Sequence, residues 1–363
     1  MATIKSVFGA YADSKNLQYL VDKALEKFAP TWFQNYFDWA PQQFSLNFIT
    51  VIGKSRVEAA ASVIDRGSKA PLRSRQALEK LSGTIPPIAE KFDLDETQLR
   101  DFLMLKQMPG IETADNIIQM ITDDVLKAGN STNKRIDIMA IEAVSTGQIT
   151  LTTTNNPDGV ILSNAIDLLM PDENYVNASV AWSNAATAKP ITVDFMGIKN
   201  SASARGITHV KALMTWAAWF QFIATTEVKD MFNAYIGKAT NKLLPTLEGV
   251  NELLRKQTLP EIEIVDVSIG IEKDGKITPY NPWETTNVAF IPAGKLGRIH
   301  NAFAIEETNK VPQVAYAKAN RTLISKWADN DPYVEYTKAE LNGMPGVDAI
   351  DQIYLLSRTA AFA

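Results

Sequence analysis

The apolar positions of the chain change period several times, and each change marks an element. Leu17, Leu20, Val21, Ala24, Leu25 and Phe28 follow the i, i+3, i+4, i+7 spacing of one helix face, and Pro30 stops the run. Between Pro30 and Pro41 stand Trp32, Phe33, Tyr36, Phe37 and Trp39. Rings at that density are buried either in the chain's own core or, if the segment is an arm, on another chain. The stretch FSLNFITVI from Phe44 has strand character, a polar and basic stretch follows, and TIPPIAEKFDL resumes β-like spacing. Residues 45–93 therefore read as a long hairpin with an extended tip. Asp95 and Gln98 have capping-box spacing, and Leu99, Phe102, Leu103 and Lys106 carry a short helix up to Pro109-Gly110.

A further helix begins near Glu112 on a face of Ile117, Ile118, Ile121 and Val125, and Ile136, Met139, Ala140, Ala143 and Val144 extend it beyond Gly129-Asn130-Ser131. If that interruption is only a kink, residues 112–146 form one long helix, ended by Gly147. Residues 148–154 are β-branched and read as a strand. Helices are expected over 212–222, 226–235 and 242–256, the last interrupted at Pro245. Ile262 and Ile264 are out of phase with Val267, Ile269 and Ile271, which predicts a β-bulge between them. Lys273-Asp274-Gly275-Lys276 is a tight-turn signal for a hairpin, and 288–291 and 350–356 read as strands. Helices and strands mix without regular alternation, so the fold class is α+β.

Composition narrows the chemistry. The 363 residues are 46% hydrophobic and 21% charged, ample for a globular core. With no cysteine there is no disulfide, thiolate nucleophile or iron–sulfur cluster, and with only His209 and His300 an imidazole-rich metal site is excluded. Neither histidine stands in a catalytic context, there is no phosphate-cradling GxxxxGK[ST], GxGxxG or GxSxG, and Asp123-Asp124 read as solvent-facing helix acids. No cofactor is expected. The beginning of the sequence has no apolar run of signal-peptide length, so the protein is expected to stay where it is made. Residues 212–224, the most apolar stretch, are too short to span a bilayer, which takes about 20 apolar residues.

The net charge of −5 hides a local reversal. Between Lys54 and Lys80 seven basic residues, Lys54, Arg56, Arg66, Lys69, Arg73, Arg75 and Lys80, face three acids, Glu58, Asp65 and Glu79, for a local +4. The hairpin tip is suited to an acidic surface on a partner, against the plain alternative of a solvated loop. Nucleic acid is a weaker third reading, because no aromatic residues interleave the basic ones.

Several strings, spread in order along the chain, carry a resemblance. They are Val63-Ile64-Asp65-Arg66-Gly67-Ser68-Lys69-Ala70-Pro71 with Arg73 and Arg75; Gly83-Thr84-Ile85-Pro86-Pro87-Ile88-Ala89; Leu94-Asp95-Glu96 with Leu99-Arg100; and Ile138-Met139-Ala140-Ile141-Glu142-Ala143-Val144-Ser145-Thr146-Gly147. Trp182, Lys189-Pro190-Ile191, Trp283 with Val288-Ala289-Phe290-Ile291-Pro292, Gly297-Arg298 and Asp331-Pro332-Tyr333 complete the set. Together they resemble the major capsid proteins of tailed double-stranded-DNA bacteriophages, in the family that includes the head protein of phage lambda.

The resemblance implies the Hong Kong 97-type capsid fold: an N-terminal arm (1–44), an extended β-hairpin loop (45–93), a peripheral domain with a long spine helix (94–192 and 312–363) and an axial domain (193–311). It implies a structural protein, not an enzyme, whose copies close into pentamers and hexamers and build an icosahedral shell around DNA held without sequence specificity. Scaffold, portal and decoration proteins are further partners it implies, with no membrane, the virion as final location and the host cytoplasm as the place of assembly. Trp32, Phe33, Phe37, Trp39, Arg66, Lys69, Arg73 and Arg75 are the expected inter-subunit contacts. No motif identifies residues for a lysine–asparagine cross-link, and no charged, coiled-coil-like scaffolding extension precedes the aromatic segment. The alternatives are an encapsulin-like nanocompartment shell with protein cargo and, from another class, an α+β enzyme with a carboxylate-based site.

Overall fold

The computed structural model describes residues 3–4, 13–52, 79–94, 96–107, 113–237 and 243–362. The opening amphipathic run forms α1 (Ser14–Leu25), with Leu17, Leu20, Val21 and Ala24 buried. These side chains meet Ala315, Ala317 and Ala319 of β15 (Ala315–Ala319) in one core, where methyl side chains let helix and strand approach closely. Gln18 adds a polar clasp. Its Oε1 accepts the Lys318 N–H at 2.7 Å and its Nε2 donates to the Lys318 carbonyl at 2.9 Å.

β15 borders β16 (Thr322–Asn330) in a seven-stranded sheet. Its main path runs β1 (Thr3–Ile4), β16, β17 (Tyr333–Gly346), β14 (Gly297–Ala302), β2 (Phe37–Trp39), and β5 (Pro87–Leu94) also pairs with β17. The β16–β17 ladder is antiparallel from Leu323↔Glu340 to Asn330↔Tyr333. Inside it lies an ion pair, Lys326 Nζ to Glu335 Oε2 at 3.9 Å with both side chains fully buried, and Lys326 also donates to Thr337 Oγ1 at 3.1 Å. Burial pulls the Lys326 ammonium below its ordinary pKa, opposed by the negative charges of Glu335 and Asp124.

Asp124 belongs to α4 (Thr113–Thr146), a single helix of 34 residues. It is half-buried instead of solvent-facing, and burial raises its pKa against the pull of Lys326; Asp123 remains exposed. The helix continues through Gly129-Asn130-Ser131. Glycine stands there for steric reasons: a Cβ at Gly129 would strike the Phe28 ring, and the adjacent Asn130 Oδ1 accepts the Ala29 N–H at 3.1 Å. Two turns later Asp137, 3% exposed, accepts the Phe33 N–H at 2.8 Å and so fixes the start of α2 (Phe33–Tyr36). Gly147 ends α4 with φ +75°, and a Cβ there would lie 2.5 Å from the Tyr175 hydroxyl. α3 (Glu96–Gln107) precedes α4, and β3 (Asn47–Ile52) pairs with β4 (Glu79–Thr84).

The described residues fall into two compact units, the first from within 1–48, 83–138 and 299–345, the second from within 49–82, 139–298 and 346–363. The second is built on a five-stranded sheet ordered β10 (Glu261–Ile264), β9 (His209–Met214), β13 (Asn287–Pro292), β18 (Tyr354–Ser357), β8 (Tyr175–Asn177). One sheet thus draws strands from both sides of the division expected at 192/193, because its closing strands, β8 and β18, come from distant parts of the chain. Pro190–Phe195 forms a π-helical turn into α5 (Met196–Ala204); α6 (Trp216–Ala224), α7 (Thr226–Tyr235) and α8 (Leu247–Lys256) follow. The core joins Trp182, Phe195, Phe222 and Phe290, with Phe195 and Phe290 edge to face at 4.8 Å. The indole N–H of Trp182 donates to Asp194 at 2.8 Å. Asn251 of α8 clasps the outer edge of β10 as Gln18 clasps β15: Oδ1 accepts the Ile262 N–H at 2.7 Å, and Nδ2 donates to the Ile262 carbonyl at 2.8 Å.

Several expectations change. The apolar run 212–222 is not one helix: it is the end of β9, then Thr215, whose side chain caps α6 by accepting the Ala218 N–H, then most of α6. The strand expected over 148–154 shortens to β6 (Gln148–Ile149), paired with β7 (Ile166–Asp167). The phase change between Ile264 and Val267 is no bulge: the chain leaves β10 and enters β11 (Ile269–Lys273), which pairs with β12 (Lys276–Tyr280) in another sheet. Asp274 and Gly275, with φ 51° and 74°, make the expected tight turn. Asp95 and Lys242 lie outside the described residues.

Burial pushes the Asp137 carboxyl up to about 6, against the backbone N–H groups of Phe33 and Trp32 that favour its charged form. A raised carboxyl pKa means that this group's contribution to stability is complete below about pH 4 and is lost as pH rises through about 6. Urea melts at pH 4 and pH 7 should show wild type losing roughly 2–3 kcal/mol more over this interval than Asp137→Asn. An equal change in both proteins would refute the assignment. Gly147→Ala should lower stability by about 1–3 kcal/mol, read as a drop in Tm, through positive φ and collision with Tyr175.

Candidate functional site

The aromatic segment and the foot of the hairpin are built on the first unit. The chain 37–43 runs beside β14, with Ala40 N–H donating to the Ile299 carbonyl at 2.9 Å and Gln43 N–H to the Asn301 carbonyl at 3.0 Å. Phe33 and Phe37 are buried within the chain's own core, which corrects their expected role as docking rings: neither presents a face to a neighbour. Trp32 and Trp39 remain half-buried, Trp32 tilted on Tyr36 at 4.7 Å and Trp39 edge-on to Phe33 at 5.5 Å. The rings therefore divide, phenylalanines inward and indoles at the surface. Arg66, Lys69, Arg73 and Arg75 lie outside the described residues.

Lys318 organises the foot of the hairpin. Its Nζ donates to Gln42 Oε1 at 3.0 Å and to Glu307 Oε2 at 2.5 Å, on the short helix α9 (Ile305–Thr308), and lies 5.3 Å from the Phe303 ring centre. Phe303 stacks on Phe44 at 4.7 Å, and Phe44 is 77% exposed. An exposed ring held this way is an ordered contact, unlike a loose surface side chain. Further along, Phe48 stacks on His300 at 4.7 Å, and a Cβ at Gly83 would come within 2.9 Å of the Phe48 ring. The Ile85 N–H donates to the Leu46 carbonyl at 2.7 Å.

A second set of groups surrounds Glu142, buried in the second unit. Oε1 accepts from Asn155 Nδ2 and the Tyr280 hydroxyl, each at 2.8 Å, and Oε2 accepts from the Thr150 N–H and hydroxyl, each at 3.1 Å. Four donors on one carboxylate make a structural clamp, tying the loop after α4 to the β11–β12 hairpin. Sequence reasoning gave Lys318, Phe303, Phe44 and Asp137 no role, nor Glu142 beyond its string. Only the two α4 acids carry a signal, since each interrupts an apolar run, Ile136 to Val144, where an unpartnered charge could not remain.

A cavity of about 200 Å³ lined by Lys199, Ser203, Thr208, His209 and Thr258 is too small for most ligands. Lys199 is engaged by Thr258 and the Gln257 carbonyl. His209 Nε2 sits 2.8 Å from the Gln352 carbonyl, and burial lowers its pKa to about 4, so the ring is neutral at pH 7. Among the described residues no group of acids and histidines could hold a metal ion, and no helix is long and apolar enough to cross a membrane.

No curated protein matches the sequence. A solved protein described as a prophage capsid protein, from Escherichia coli CFT073, matches in fold at TM-score 0.60 and 15% identity, covering 95% of this chain and 98% of its own. A phage-related protein from Bordetella bronchiseptica RB50 follows at TM-score 0.47 and 11% identity, covering 100% of both chains. The capsid of Myoviridae phage XM1 gives 0.44 and 12%, covering 90% of both. The mixture of helix and sheet is that of the Hong Kong 97-type capsid fold. The model for phage major capsid protein E matches residues 23–355, from within α1 to β18, and the chain belongs to that family.

Proposed function

We propose that this chain is the shell subunit of a tailed double-stranded-DNA phage head, closing into pentamers and hexamers that tile an icosahedral container. The observation that carries the reading is the extent of the family match, residues 23–355 of 363, which takes in α4 and nearly all of both large sheets. The role is structural, and its mechanism is geometric: contacts between unlike patches on successive copies close when the rotation closes. In this reading α4 is the spine, β3 and β4 are the stem of the extended loop, and the sheet of the second unit with α5–α8 is the core of the axial part. Trp32 and Trp39, with the basic residues Arg66, Lys69, Arg73 and Arg75, are inter-subunit contacts. DNA fills the interior without sequence specificity, assembly takes place in the host cytoplasm, and scaffold, portal and decoration proteins are further partners.

Expressed alone and viewed by negative-stain electron microscopy, the protein should give rings, tubes or shells, with light scattering reporting masses far above the monomer. A monodisperse monomer with a compact radius of gyration near about 21 Å would overturn the reading. Shells that enclose protein instead of nucleic acid would move it to a nanocompartment. Replacing Arg73 and Arg75 by Glu should leave the circular dichroism spectrum unchanged and reduce the yield of assemblies at least tenfold, because reversed charge at an electrostatic contact weakens association while leaving core packing alone. Normal assembly of that variant would remove the basic tip from the interface.

A further inference from the structure

The sequence of α6, Trp-Ala-Ala-Trp-Phe-Gln-Phe-Ile-Ala, carries no charge on any face. Ala218, Trp219, Phe222 and Ile223 are buried in the core of the second unit. The other face is exposed: Trp216 at 41% and Phe220 at 59%, with Ala217 beside them. Gln221, the one polar side chain of α6, accepts a hydrogen bond from Arg358, so Trp216, Ala217 and Phe220 leave an apolar surface suited to a cover. Its rings are already fixed in place. Trp216 stacks on Phe220 at 5.8 Å, and its indole N–H donates to Asp266 at 3.2 Å, so little side-chain entropy is lost on contact.

The same unit presents an aliphatic pair just before α8, Leu243 at 48% exposure and Leu244 at 71%. This segment is also held: the Leu243 N–H donates to Asn233 Oδ1 at 2.7 Å, and Asn233 Nδ2 donates to the Leu243 carbonyl at 3.2 Å. One chain thus offers an ordered aromatic face and an ordered aliphatic projection, which are the two unlike halves that a head-to-tail contact between identical copies requires. Membership of a capsid-protein family makes another copy the fitting occupant.

We infer that Trp216, Ala217 and Phe220 of one copy receive Leu243 and Leu244 of the next. The inference rests on the shell-subunit reading and names one of its contacts. Because the chain has no cysteine, the contact can be trapped directly in full-length Phe220→Cys/Leu244→Cys, both substitutions being at exposed positions. Under mild oxidation, a non-reducing gel should show a ladder of covalent dimers and higher species that collapses with dithiothreitol and is absent from Phe220→Cys or Leu244→Cys alone. As an independent readout, Trp216→Ser/Phe220→Ser should weaken self-association at least tenfold by sedimentation, with an unchanged circular dichroism spectrum. A double-cysteine protein that stays monomeric or closes a disulfide within one chain overturns the contact, as does a serine variant that associates like wild type. Micrographs of wild type taken alongside separate the two failures. Shells without a ladder leave the shell reading standing and remove the contact, whereas the absence of both removes both.

Discussion

The carboxylates that α4 buries set the terms for the rest of the molecule. A carboxylate removed from water is tolerated only if other groups replace its solvation, so each such acid obliges a particular segment to be in place. Asp124 requires Lys326, and with it the β16–β17 ladder. Asp137 requires the main chain at Phe33, which seats the aromatic segment. Glu142 requires Thr150, Asn155 and Tyr280, which fold the loop after the helix and the β11–β12 hairpin. Both compact units take part of α4, the first up to Ile138 and the second from Met139. Continuity of the helix through Gly129 keeps Asp124 and Asp137 on one element and so matters more than its modest helix propensity at that point.

What the residues reveal on their own follows from how local the cause is. α1, α7 and the turn at Asp274-Gly275 rest on spacing, capping and backbone preference within a few residues, and each stands where the pattern puts it. The end of β9 reads as helix from sequence because a continuous apolar run has no period to distinguish strand from helix; the informative residue is Thr215, an N-cap within the run. β8 and β18 pair with each other 180 positions apart, from Tyr175 to Leu355, and nothing near either strand encodes the other. The mixed pattern of helices and strands points to the α+β class and the family resemblance to the capsid architecture, but neither says which strands share a sheet.

The aromatic segment is legible in composition and less so in orientation. A cluster of five rings between two prolines calls for burial, but composition cannot say which ring faces which way. Phe33 is buried, and Trp32 and Trp39 stay half-buried, where an indole can keep its N–H wet. Phe44 and Phe303 lie far apart in sequence and stack directly, with Lys318 over the Phe303 ring, a relation that exists only in three dimensions.

The carboxamides of Gln18 and Asn251 have a consequence for how such a protein can be stored at high concentration. Each occupies the outward N–H and carbonyl of one residue on a strand at a sheet border, Lys318 of β15 and Ile262 of β10, as a neighbouring strand would. Strand addition is growth without an end: every added copy offers the next edge, and the product is a fibre. Contact between side-chain surfaces has a last member when its rotation closes into a ring. By filling those backbone positions from within, the fold steers crowded copies away from the unbounded product.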